Sequence, residues 1–342
     1  MALLKLDSDP SLEHSARSAG VGGNTTSAEP IRIGISSCLL GNAVRYDGGH
    51  KRDDFLVETF GRYVHWVVVC PEIEIGLGVP RPTLRLQRHD GQVRLLMPST
   101  GADYSAAMQR YAERRVSDLE RLGLCGFVLK KDSPSCGMER VKVYDGPGPP
   151  SRNGRGLFAG TLLHRLPHLP VEEEGRLNDP ALRDNFIERV FAYRRLRSLF
   201  SGRWKLGALV EFHSAHKLQI MAHSPKTYSD LGRLVATAKR QPRSEVRERY
   251  ENLFMNAMAV IATRRRHANV LQHVAGYFKK QLDAPSRQEL VSLIEDYRGG
   301  LVPLIVPITL VRHYVRRFAV GYLQGQTYLD PHPRELMLRN HV

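Results

Sequence analysis

Three short apolar runs, far apart in the chain, each end at a cysteine, and no other feature constrains the fold as much. Residues 31–38 read IRIGISSC, residues 66–72 read WVVVCPE, and the run at 126–129 leads into LKKDSPSCG at 129–137. Apolar, β-branched runs of this length bounded by turn residues read as buried strands. Cys38, Cys70 and Cys136 therefore stand at the mouths of three strands, and in open α/β sheets that rim is where ligands bind. The gaps of 32 and 66 residues are too long for a local knuckle. Only the fold can bring these thiols together.

The intervening sequence fits an α/β unit. A Gly-rich loop at 39–49 and a helical period at 53–63 separate the first two strands, which makes a βαβ unit with parallel strands. Residues 76–81 (GLGVPR) form a turn, and 83–87 with 92–97 form a hairpin about Asp90 and Gly91. An amphipathic helix spans 102–122 with Gly123 as its cap, and the third strand follows at 126–129. The Pro- and Gly-rich stretch 145–155 reads as loop, and 156–163 as helix. Past Asn178-Asp179-Pro180, a helix start, strand signals nearly vanish. Helical patterns follow at 181–201, 204–224, 229–239, 244–262, 268–279, 285–298 and 303–321. The expected architecture is a flexible leader at 1–30, an α/β domain with a Rossmann-like parallel sheet at 31–180, and an all-helical domain at 181–342.

Charge divides along the same line. Residues 1–185 hold 24 Lys and Arg against 23 Asp and Glu, a net of +1, whereas residues 186–342 hold 26 against 12, a net of +14. A basic half points to a polyanion, most simply nucleic acid, the alternative being a solvated basic surface. The longest apolar run, 301–311, is 11 residues with two prolines, against about 20 needed to cross a bilayer. No secretory signal opens the chain, and four cysteines in 342 residues suit a reducing compartment, so the expected location is the cytoplasm with no membrane partner.

Three converging thiolates can hold zinc or an iron–sulfur cluster, or one of them can serve as a nucleophile. Structural zinc uses four ligands, normally with one short CxxC or HxxxH pair, which these cysteines lack. Iron–sulfur clusters mostly take four cysteines, so three would leave one iron open, a Lewis acid with affinity for soft atoms such as sulfur. The plain alternative is three buried small hydrophobes.

SSCLLG with RYDGG, then VCPE, then KKDSPSCG resemble, in order and wording, the TudS-type thiouracil desulfidases over residues 31–180. The resemblance implies a 4Fe-4S cluster on Cys38, Cys70 and Cys136, whose unligated iron takes the thiocarbonyl sulfur. It implies catalytic roles for Glu72 as general base on water and for Ser133 as hydrogen-bond donor or proton relay. Arg45, Tyr46, Asp47 and Ser135 are the expected substrate-pocket residues, although a tight turn accounts equally for Asp47 and for the serines flanking Pro134. Cys125 matches no ligand of the family and is expected in the core.

The helical half is similar to a YbgA-like domain of unknown function, marked by EFHSAHKLQIMAHSPKTY at 211–228. In RudS-type proteins this fusion removes sulfur from 4-thiouridine in tRNA, which implies tRNA as the partner here. The expected RNA contacts are Lys130, Lys131, Lys217, Arg264, Arg265, Arg266, Lys279, Lys280, Arg316 and Arg317, interleaved with Tyr228, Tyr277, Tyr314 and Tyr322. His213, His216 and Lys217 share one helix face with His223 two turns on. Metal ligation lacks a completing carboxylate or cysteine there, which leaves RNA contact or packing. No internal repeat is evident. Free thiouracil or thiolated nucleosides are the alternative substrates, and a cluster-stabilised RNA-binding protein the non-catalytic alternative.

Overall fold

The structure is a computed structural model that describes residues 30–146 and 148–342. The leader expected at 1–30 falls almost wholly outside the described residues. Among the described residues nine strands follow in chain order: β1 (Arg32–Ser36), β2 (His65–Val69), β3 (Arg85–His89), β4 (Gln92–Met97), β5 (Ala102–Asp103), β6 (Gly126–Leu129), β7 (Val141–Tyr144), β8 (Ser151–Gly154) and β9 (Val171–Glu173). They form two sheets. One is fully parallel in the order β2-β1-β6-β9, and the other is mixed in the order β5-β4-β3-β7-β8.

Central β1 and β6 are buried along nearly their whole length, as apolar runs covered on both faces must be. They approach closely because Gly34 has no side chain. A Cβ there would lie 2.1 Å from the Phe127 ring. Helices α1 (Pro71–Glu74), α2 (Ser105–Arg121) and α3 (Leu157–Arg165) belong to this half. Met108, Val116 and Leu119 of α2 and Phe158 and Leu162 of α3 cover one face of the parallel sheet. The other face takes Leu56 and Phe60 together with Phe186, Ile187 and Val190 of α4 (Pro180–Phe200).

Two local expectations are corrected. The period at 53–63 is not one α-helix but a π-helical turn, Phe55–Thr59, followed by a 3-10 turn, Phe60–Arg62. Gly61 lies just past the π turn, where a Cβ would stand 2.9 Å from the Leu56 carbonyl. The stretch 145–155 is not all loop, since β8 pairs antiparallel with β7. Gly154 makes this pairing possible, because a Cβ would meet the Val143 side chain at 2.5 Å. A polar strand on a sheet edge after two prolines carries no alternating pattern to read.

The C-terminal half is helical: α4, α5 (Leu206–His223), α6 (Pro225–Thr237), α7 (Arg243–Ala259), α8 (Arg264–Gly276), α9 (Ala284–Gly299) and α10 (Ile305–Arg317). Asp179 caps α4, its carboxylate accepting from Ala181 N and Leu182 N, with Pro180 in the first turn. Helices α4 to α7 enclose one apolar cluster around Tyr250 and Phe254, and α8 to α10 another around Phe278 and Tyr297. Among the described residues no helix is long and apolar enough to cross a membrane.

Candidate functional site

The ends of β1, β2 and β6 open onto one cavity of about 390 Å³, and its walls include Cys38, Cys70 and Cys136. Each thiol arrives by local chain chemistry. Cys38 sits in a 3-10 turn, Ser37–Leu40, that closes at Gly41, whose φ of 95° suits glycine alone. Cys70 is the cap residue before α1, and its amide donates to Glu74 Oε1 at 2.9 Å. Cys136 lies in a loop fastened from two sides. Inside the loop, Ser133 Oγ accepts from Ser135 N at 3.2 Å and Cys136 N at 3.0 Å. From outside, Leu157 N and Ala159 N of α3 donate to Pro134 O and Ser135 O, both at 3.2 Å.

Burial raises all three thiols. Cys38 is pushed up to about 11, opposed by the Lys130 ammonium, and Cys136 is driven well up despite a hydrogen bond with Ser36. Cys70 is raised by burial and by the nearby Glu72 carboxylate, with a hydrogen bond from the Ile73 amide of α1 opposing. The thiolates feel one another, Cys38 facing Cys70 and Cys136 facing both. Among the described residues no three His, Cys, Asp or Glu side chains are placed to share one metal ion. The donor set is three soft thiols around a shared space.

Glu72, one residue past Pro71 in α1, faces the same cavity. Its Oε2 takes Arg81 Nη2 at 2.5 Å and Nε at 3.2 Å, and its Oε1 accepts from Ser135 Oγ at 3.0 Å. Arg81 also donates Nη1 to Val44 O and Gly78 O, both at 3.1 Å, and its amide donates to Tyr46 O at 2.8 Å. One guanidinium therefore joins the carboxylate to the 44–46 loop that carries Arg45 and Tyr46. Sequence reasoning passed over Arg81 because GLGVPR reads only as a turn. Its sole signal was an arginine inside a Pro/Gly turn nine residues after the CPE glutamate.

Several expected site residues are placed elsewhere. Arg45, Tyr46 and Ser133 line the cavity; Asp47 and Ser135 do not. Asp47 folds back on its own turn, accepting from Gly49 N at 3.1 Å and pairing with Arg45 at 3.4 Å. Ser135 is fully buried behind Glu72. Lys130 is no free surface cation, since its ammonium pairs with Glu174 on the cavity wall. Lys131 is exposed at the cavity edge. Cys125 is buried beside Arg197, outside the cavity, as a core residue.

In the helical half Arg264, Arg265, Lys279, Lys280, Arg316 and Arg317 are exposed, and Lys217 is half-buried. Arg266 instead turns inward, donating to His223 O at 2.8 Å. Tyr314 is buried in the α8–α10 core, whereas Tyr277 and Tyr322 are exposed and stacked at 5.3 Å. His213, His216 and His223 are all buried. Their Nδ1 atoms meet Tyr250 Oη, Phe212 O and Val260 O respectively, so this face packs and makes no outward contact.

A parallel α/β sandwich that gathers three thiols and a clamped carboxylate at its strand ends, joined to a basic helical half, defines a two-part protein with a soft-donor site. Residues 33–174 match the family model described as 2-thiouracil desulfurase, and residues 217–333 match the model described as protein of unknown function DUF1722. The chain belongs to the family of YbgA of Escherichia coli, an uncharacterized protein to which it is 35% identical over 158 residues, 46% of this chain and 94% of that one. It is 26% identical over 151 residues to the uncharacterized YbbK of Bacillus subtilis, covering 42% of this chain and 97% of that one. A solved structure, the 4Fe-4S-dependent thiouracil desulfidase TudS, is 32% identical with a TM-score of 0.36, covering 43% of this chain and 93% of its own.

Proposed function

We propose that this protein is an iron–sulfur-dependent desulfidase that replaces C=S by C=O in a thiolated pyrimidine, and that its substrate is 4-thiouridine in tRNA. The observation that carries this reading is the meeting of Cys38, Cys70 and Cys136, from three separate strand ends, around one cavity that Glu72 also lines. The match of residues 33–174 to a desulfurase family supports it. Three thiols lining one cavity suit a 4Fe-4S cluster, in which each iron takes its own thiolate. Bound there by three cysteines, such a cluster supplies one iron without a protein ligand, a Lewis acid for the substrate's sulfur.

The chain's own residues do the rest. The net change is C=S plus water giving C=O plus H₂S, with no electrons leaving the substrate. Glu72, oriented by the Arg81 fork, takes a proton from the attacking water; a base so placed contributes about 10² to 10⁴ in rate. Ser133 has both hydroxyl lone pairs engaged by the Ser135 and Cys136 amides, which leaves its hydrogen to donate into the cavity. Arg45 and Tyr46, on the loop that Arg81 ties down, meet the substrate at the rim.

The choice of tRNA rests on the helical half, with its net charge of +14, its exposed cations and the stacked Tyr277–Tyr322 pair. A nucleotide held in a folded RNA must be displaced to reach a recessed cavity, at about a few kcal/mol. Contacts to the RNA body offset that cost. The name of the matching family favours free 2-thiouracil as the second reading. Anaerobically reconstituted protein is assayed on 4-thiouridine-containing tRNA beside free 2-thiouracil. Turnover of the tRNA is expected; turnover of the free base alone overturns the tRNA assignment, and turnover of neither overturns the desulfidase.

A further inference from the structure

A second cavity, of about 180 Å³, lies inside the helical half and shares no wall residue with the thiol cavity. Asp184 and Glu188, one turn apart on α4, His223 at the end of α5, and His267 of α8 converge on it, with the exposed Arg264 at its mouth. Buried ionisable groups need hydrogen-bonded partners; Asp184 has one in His332 Nε2 at 3.1 Å, but the Glu188–His223 pair is incomplete. His223 is 1% exposed, and its Nδ1 must carry a proton because it donates to the Val260 carbonyl at 2.6 Å. Among the described residues its Nε2 has no hydrogen-bond partner, and it stands 3.4 Å from Glu188 Oε2, long for a hydrogen bond. Glu188 Oε1 is served by Gln219 Nε2 at 2.7 Å and by Arg339 at 3.7 Å, whereas Oε2 faces only His223. His267 uses Nδ1 on Tyr328 Oη at 3.0 Å, and burial holds it neutral with a pKa lowered to about 3.

An under-used carboxylate oxygen and a neutral imidazole therefore border the same small space, with the apolar Ile261 and Ala262 forming one wall; with Tyr328 Oη donating to His267 Nδ1, the His267 Nε2–H is left as a donor beside that acceptor. The volume equals about six waters and falls below the roughly 300 Å³ at which pockets for drug-sized ligands begin. A single heterocycle fits that scale. We propose that this cavity is a second binding site, for a pyrimidine nucleotide whose ring N–H and C=O meet Glu188 and His267 and whose phosphate meets Arg264 at the mouth. Glu188 is paired with His223 and Arg339, and Asp184 with His332, so the floor's charges are met within the protein, which suits an uncharged base. The cation at the entrance suits an anionic tail.

The test uses the full chain in equilibrium dialysis with uridine 5′-monophosphate and, separately, with uracil. Saturable binding of one uridine 5′-monophosphate per chain is expected. Ala262→Leu, which fills the cavity without removing a charge, should weaken it at least tenfold. Arg264→Ala, at an exposed position, should weaken the nucleotide about tenfold and leave uracil within twofold. Absence of saturable binding up to millimolar nucleotide overturns the proposal. So does binding that Ala262→Leu leaves unchanged in a variant whose melting temperature matches the parent, since the thiol cavity would then be the binding place.

Discussion

Replacing Arg81 by Gln tests whether the clamp on Glu72 organises the cavity. The guanidinium is 6% exposed and the Glu72 side chain 16%, so their pair is largely withdrawn from water. Removing one partner of a buried pair costs about 3–5 kcal/mol. Glu72 keeps Ser135 Oγ and some access to solvent, which brings its share below that range, to about 2–3 kcal/mol. The Val44 and Gly78 carbonyls also lose their donor, adding about 1 kcal/mol where water only partly replaces it. The total of about 3–4 kcal/mol corresponds to a fall of roughly 6–12 °C in melting temperature. Freed from the fork, the carboxylate and the 44–46 loop shift together, and a displacement of about 1 Å at a reacting group costs about 100-fold in kcat. Arg81→Lys, which keeps the charge but not the fork, should fall between. The assays are thermal melting, kcat on the thiolated substrate, and iron and sulfide per chain after anaerobic reconstitution. Iron should be retained, because no thiol is touched. If Arg81→Gln melts within 2 °C of the parent and turns over within twofold, the clamp has no such role.

The remaining predictions concern ligands, packing and pH. Cys38→Ala, Cys70→Ala and Cys136→Ala should each lose most reconstituted iron while Cys125→Ala keeps it; equal loss in all four would sink the three-thiol assignment. Gly156→Ala places a Cβ 2.4 Å from Ser135 O and 2.8 Å from Cys136 N, both backbone atoms, so the Cys136 loop must move. Iron retention should drop and the melting temperature fall by several degrees, and an unchanged protein would show that the loop yields freely. His216 and His267 are buried with pKa values lowered to about 3, so the unfolded chain binds their protons first as pH drops below 6.5. Each should remove about 2 kcal/mol between pH 6.5 and 5. His223, raised by Glu188, acts in the opposite sense, its contribution being present at low pH and lost as pH rises. Urea titrations at pH 7 and 5 should show the net loss, and His216→Gln should shrink it; equal stability at both pH values would contradict neutral burial.

Local pattern was enough to show where strands and helices lie. The apolar cores of the runs, at 32–36, 66–69 and 126–129, are strands because β-branched residues that must be buried have no other short solution, and every long helical period beyond Pro180 is a helix. That the cysteines close those strands, at the sheet edge where α/β folds bind, was legible for the same reason. Packing decided which side chains meet. Ser135 and Asp47 look like site residues in sequence, yet one is turned inward to brace Glu72 and the other outward to close its own turn. Lys130 looks like a surface cation and is neutralised by Glu174, 44 residues on. Arg81 looks like a turn residue and holds the cavity together. The convergence of Asp184, Glu188, His223 and His267 on one void has no sequence signature, because they lie on three helices spread over 84 residues. Propensity and periodicity are properties of neighbours along the chain. Ion pairs, cavities and orphaned polar atoms depend on distances across it, and only the closed core sets those.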